Sequence, residues 1–213
     1  SDMVSYIINK LLFCYSVSEC TSEFSMQEIT AIKDVWMRAR NVEVGENILT
    51  ALIEKKPNFA VYYGFETSLA VEELRKGTMF ILQARRIQNF LDTIVSTLGF
   101  CPDATIHHMA YRIGQIHYHR GVNFGADNWL VFKRVTIEQV LAVQKRPTIV
   151  NGSPKEQEKF EENLDSLKNR SPGKTNIAAI GWNKLMSLII REMKRGFLDE
   201  ALKNCEDDPN EGI

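Results

Sequence analysis

"RIGQIHYHRGV", residues 112–122, holds two of the four histidines of the chain, and its reading decides the fold. On a helix running from about Ala104 to Tyr118, Ile106, Met109, Ala110, Ile113, Gly114 and Ile116 share one side. His117, four residues after Ile113 and three after Gly114, falls with them. His119 lies about 200° further round at about 100° per residue and faces solvent. An imidazole aimed into apolar space, with a glycine below it leaving room for something flat, suits an axial metal ligand in a cofactor pocket. A buried histidine bonded to a backbone carbonyl fits the same pattern, so these eleven residues leave both readings open.

Upstream, the chain reads as helix after helix. Ser25 and Glu28 form a capping box in "SMQEITAIKDVW", which starts a helix with Ile29, Ile32, Val35 and Trp36 on its inner face. Val42 to Lys56 repeats the pattern with Ile48, Leu49, Leu52 and Ile53, and Pro57 stops it. After a loop rich in aromatics, a long helix from about Met79 to Leu98 is expected to bury Ile87, Phe90, Leu91, Ile94 and Val95, with Gly99 and Pro102 ending it. Downstream, "GADNWLVFKRVTIEQVLAVQ" supplies a helix with Trp129, Leu130, Phe132, Val135, Leu141 and Val143 as its apolar positions. Residues 146–175 turn polar and charged and read as an insertion with a thin apolar edge of Phe160, Leu164 and Leu167. The last helix, Asn176 to about Asn204, presents Ile177, Ile180, Leu185, Leu188, Ile189 and Met193. The acidic tail is expected to be disordered.

At 213 residues and 44% hydrophobic, the chain suits one sizeable domain with decorations. The expected division is an N-terminal extension over 1–24, a helical domain over 25–205 and a tail over 206–213. A formal net charge of −1 with dispersed Lys and Arg argues against nucleic acid as a partner. Cys14, Cys20, Cys101 and Cys205 have no metal-ligand spacing and fit a reducing cytoplasm, with a Cys14–Cys20 bridge as the alternative for the first pair. Val4, Ile7, Ile8, Leu11, Leu12 and Tyr15 make an amphipathic stripe, expected to dock on the main domain; a membrane surface or partner protein is the other reading. Asn9 and Lys10 interrupt this run, which therefore reads as neither signal peptide nor membrane span. A zinc or copper site built from His107, His108, His117 and His119 is disfavoured, because His117 and His119 diverge on a helix. No phosphate loop, Rossmann glycine fingerprint or Ser or Cys nucleophile motif stands out.

Four stretches, in order, resemble a globin of the divergent nematode and invertebrate, neuroglobin-like kind, over roughly residues 25–203. "VWMRARNVEVGENILTALIEKKP" is similar to the first two globin helices, with Trp36 as anchor, Gly45 as the helix-crossing glycine and Pro57 opening the third helix. "FILQARRIQNFLDTIV" looks like the distal helix, "RIGQIHYHRGV" the proximal one, and "IGWNKLMSLIIREMKRGF" the terminal one. The resemblance implies an all-α globin fold, a three-over-three helical sandwich with an extra N-terminal helix and an insertion before the last helix. It implies heme b, iron protoporphyrin IX, as cofactor and His117 as the proximal iron ligand. One ring nitrogen would bind iron and the other a backbone carbonyl one turn back. Ile113, Ile116, Val122, Trp129 and Phe132 are then expected on the proximal wall.

On the distal side the family pattern falls on Gln83 where many globins carry histidine, with Ile87 one turn later and Leu49 opposite. A glutamine amide donates hydrogen bonds yet binds iron very poorly, so the sixth site is expected to be open. The usual heme-packing Phe corresponds to Tyr63, or to Phe65 if the loop is longer by two. Arg86, three residues after Gln83, is expected to reach a heme propionate or to be merely solvated. His107 and His108 sit too near His117 to serve the opposite heme face. The resemblance thus implies reversible binding of dioxygen, carbon monoxide or nitric oxide for storage, sensing or redox signalling, compatible with a homodimer. The other classes are nitric oxide dioxygenation or nitrite reduction at the same heme, and a heme-free globin-like interaction domain.

Overall fold

The computed structural model describes residues 22–122, 125–144 and 176–206, and these are all-helical apart from their turns. The expected N-terminal helix with its cysteine pair, the 146–175 insertion and the acidic tail lie outside the described residues. Among the described residues eight α-helices follow in chain order: α1 Met26–Ala39, α2 Val44–Lys55, α3 Phe59–Tyr62, α4 Val71–Leu74, α5 Thr78–Thr97, α6 Asp103–His119, α7 Ala126–Leu141 and α8 Ile177–Glu206. None of the described helices is long and apolar enough to cross a membrane.

The start of α1 follows from its capping box. The Ser25 side chain accepts from the Glu28 amide at 3.2 Å, and the Glu28 carboxylate accepts from the Ser25 amide at 2.8 Å. That second bond, with Lys184 of α8 nearby, holds the Glu28 carboxyl below the usual carboxylate range. A 3₁₀ turn over Arg40–Val42 and a left-handed Glu43 redirect the chain into α2. The expected single loop between α2 and α5 instead contains two one-turn helices, α3 and α4.

Glycines set the two closest helix crossings. A Cβ at Gly45 would overlap the Ala84 carbonyl, so α2 lies backbone-close on α5, and the Gln88 side chain accepts from the Gly45 amide at 3.2 Å. The second crossing corrects the expectation for Gly114. Its missing Cβ makes room for the Met193 backbone of α8 and not for a flat ligand, while Gly196 of α8 returns the contact against Tyr111 of α6. The two glycines leave no side chain between α6 and α8 at that point.

Between these crossings the core is continuous. Trp36 stacks at a tilt on Trp182 with 5.7 Å between centroids, and its Nε1 donates to Asp92 of α5 at 2.8 Å. Ile29, Ile32, Val35, Ile48, Leu49, Leu52, Ile53, Leu91, Ile94, Val95, Leu185, Leu188, Ile189 and Met193 are buried as expected. Four other expectations fail. Leu130, Ile177 and Ile180 are exposed, and Ile116 is half exposed. In α7 the inner face is Trp129, Phe132, Val135, Thr136 and Val140, which turns Leu130 outward; in α8 Trp182 is the centre of the buried stripe, and Ile180 sits about 200° from it.

Candidate functional site

A cavity of about 630 Å³ opens beside the C-terminal half of α6, within the ~300–1,000 Å³ range of small-molecule and cofactor sites. Ile113, Ile116 and His117 border it from α6, with Arg120 and Val122 just beyond, and Gln83, Arg86, Ile87 and Phe90 from α5. Val61 to Gly64 border it from α3 and its turn, Phe132 from α7, and Met193 from α8. Its walls are largely aliphatic and aromatic. The polar groups are few: His117, Gln83, two arginines and two tyrosines.

His117 is held by its own helix. Its Nδ1 donates to the Ile113 carbonyl at 2.7 Å, one turn back. A carbonyl only accepts, so Nδ1 carries the proton and the lone pair of the neutral ring lies on Nε2. Burial pushes the imidazole below the usual histidine range, and the Ile113 carbonyl opposes that in part. Two bonds close the helix just after it: the Val122 amide donates back to the His117 carbonyl at 2.9 Å, and the Arg120 amide to Ile116 at 3.0 Å. Gly121, at φ 67°, makes that tight turn accessible. His117 is therefore bonded to a backbone carbonyl and also borders a cavity.

Gln83 reaches the cavity from α5, and its Oε1 accepts from Arg86 Nη1 at 3.2 Å. Ile87 and Phe90 follow on the same side of that helix. Tyr63, not Phe65, borders the cavity; Phe65 lies behind it, 6.1 Å from the Tyr63 ring and 5.7 Å from Phe80, all three nearly parallel. Burial pushes the Tyr63 hydroxyl above the usual phenol range. Tyr62 accepts from Asn128 Nδ2 at 3.1 Å, and Lys56 donates to the same amide's oxygen at 2.8 Å, which fixes the α3 edge of the cavity to α7.

Besides Phe65, two expected residues do not border the cavity. Leu49 is fully buried in the core of α2, since Gly45 brings α2 so close to α5 that the Leu49 side chain is enclosed before it reaches the cavity. Trp129 is likewise buried on α7, one turn before Phe132, which takes the place on the wall. Six residues that border the cavity were missed, Val61 and Gly64 among them because they flank Tyr63 in the aromatic loop, whose register the sequence left open. Phe90 was read as plain core; Tyr62 and Met193 reach it through contacts between distant elements; Arg120 carried no periodicity to mark it.

The other three histidines lie away from this cavity, His108 as an exposed side chain. His107 lies between two carboxylates, with Nδ1 3.2 Å from Glu192 and Nε2 3.0 Å from Glu23, while His119 is exposed near Glu200. Among the described residues no group of three or more His, Cys, Asp or Glu side chains could hold a metal ion. Compared with models of known protein families and with curated proteins, the chain matches none.

Proposed function

We propose that the chain is a globin-fold heme protein that binds dioxygen or another diatomic gas reversibly at an open site. The observation that carries the reading is His117: its Nδ1–H is donated to a carbonyl one turn back, and the ring borders a cavity large enough for a cofactor. That bond fixes the tautomer and orients a neutral ring, which is the arrangement of a metal-ligating histidine with its supporting acceptor. The residues fit a flat, largely apolar group with an acidic edge. Ile113, Phe132, Val122 and Met193 offer an apolar wall, Tyr63 a ring backed by the Phe65–Phe80 stack, and Arg120 a guanidinium for a carboxylate.

When bound, heme would supply an iron centre whose sixth position takes the gas. The protein's part is then divided between two helices. On α6, His117 would hold the iron through Nε2, and its lowered basicity keeps the lone pair available near neutral pH. On α5, Gln83 would donate an amide hydrogen bond to the gas, and Ile87 and Phe90 would exclude water from it. The sequence order of the four globin-like stretches and the two glycine crossings, α2 on α5 and α6 on α8, support the same reading.

The test is an absorption spectrum of the purified protein in ferric, ferrous and ferrous carbon monoxide forms. Five-coordinate ferrous bands that shift with carbon monoxide are expected, and His117→Ala should lose the pigment. A protein colourless after reconstitution with hemin, or a His117→Ala variant with unaltered pigment, refutes the proposal. Low-spin ferrous bands without added gas would refute the open site alone.

A further inference from the structure

Gln83 is useful to a gas ligand only one way round. Its amide has an acceptor oxygen on one edge and an NH₂ donor on the other, and half a turn about the last side-chain bond exchanges them. With the oxygen inward the amide would repel the partial negative charge on a bound diatomic ligand; with the nitrogen inward it would donate to it. Nothing in an apolar wall of isoleucine and phenylalanine discriminates between the two. The neighbouring guanidinium does.

We infer that Arg86 is the positioning residue that turns the Gln83 amide so that its NH₂ edge, and not its carbonyl, meets a ligand opposite His117; this rests on the heme reading above. Arg86 stands three residues after Gln83 on α5, on the same side of the helix, and both border the cavity. Its Nη1 donates to Gln83 Oε1 at 3.2 Å. A guanidinium has five donors and no acceptor, so it tolerates the amide oxygen beside it and rejects the NH₂. The orientation therefore follows from chemistry and not from telling nitrogen from oxygen. Among the described residues no carboxylate pairs with Arg86, so its charge acts on Gln83 without competition, and no acceptor is bonded to the Gln83 amide nitrogen. Arg86 is itself exposed, so shortening it opens no hole in the core.

The experiment compares Arg86→Ala, Arg86→Lys, Gln83→Leu and the Arg86→Ala/Gln83→Leu double variant. The readouts are the dioxygen dissociation rate and the stretching frequency of carbon monoxide on the ferrous protein. Arg86→Ala should speed dioxygen dissociation about three- to tenfold, the range carried by one net hydrogen bond, and should raise the carbon monoxide frequency. Arg86→Lys should fall between Arg86→Ala and the parent protein. The double variant should match Gln83→Leu alone, because the arginine acts only through the glutamine. Additive effects, or no effect of Arg86→Ala on either readout, overturn the inference. Pigment loss in Arg86→Ala with an unaltered frequency in the remainder would assign the guanidinium to the cofactor's carboxylates and overturn it too. A second measurement is independent of colour. Nuclear Overhauser contacts from the Gln83 side-chain NH₂ to Ile87 and Phe90 protons are expected in the protein as purified, and they should weaken in Arg86→Ala. Their absence in the parent protein overturns the inference even where the heme reading stands, and their presence in a colourless protein would refute only the heme reading.

Discussion

His117 makes stability depend on pH in a defined direction. In the unfolded chain the imidazole titrates near its ordinary value of about 6.5; in the fold, burial lowers that value. Between the two values the unfolded state holds a proton that the folded state does not, so acidification favours unfolding. The pigment-free protein should keep its full stability above pH ~6.5 and lose part of it as pH falls through the lowered folded value, while His117→Gln should lack that step. Urea unfolding midpoints from pH 7.5 downward check this. The imidazole was legible in the sequence because its spacing from Ile113 and Gly114 is a property of one helix. The same spacing misread Gly114, because which neighbour a missing Cβ admits depends on α8, about eighty residues further on.

Among the elements, α1 depends most visibly on a local device. Ser25→Ala removes the side-chain half of the capping box and leaves the Glu28 amide without its acceptor. A loss of about 1 kcal/mol is expected in chemical denaturation, with the spectrum of any bound pigment unchanged, since Ser25 is remote from the cavity. α1, α2, α5 and α6 were all readable from caps, stops and three-four spacing. α3 and α4 were not, because one turn of helix is too short to show a period and is held by tertiary bonds such as Asn128 to Tyr62. The α8 stripe was read one face out at its start, where Ile177 and Ile180 outweighed Trp182 in the pattern. Burial instead follows Trp182, whose ring meets Trp36.

For the molecule as a whole, the cavity leaves an apolar space of about 630 Å³ beside the core. A ligand that fills it binds the folded state alone and so stabilises by mass action, by about 2.7 kcal/mol at a hundredfold excess over its dissociation constant. Hemin titrated into pigment-free protein should raise the melting temperature in a concentration-dependent way, and the rise should be absent in His117→Ala. The site was legible in part. Gln83, Arg86, Ile87, Ile113 and His117 came from two helices read separately, whereas Arg120, Met193 and Tyr62 enter only when the chain closes on itself.

That closure has a mechanical side. Where Gly114 meets Met193 and Gly196 meets Tyr111, two main chains lie against each other with no soft filling between. The imidazole thus rides on a stiff double beam. No side chain at the joint can yield by changing rotamer, and α8, a rod of thirty residues and about 45 Å, is also tied to α1, where Lys184 donates to Glu28 at 3.4 Å. Residue 117 is thus seated on main chain braced by main chain.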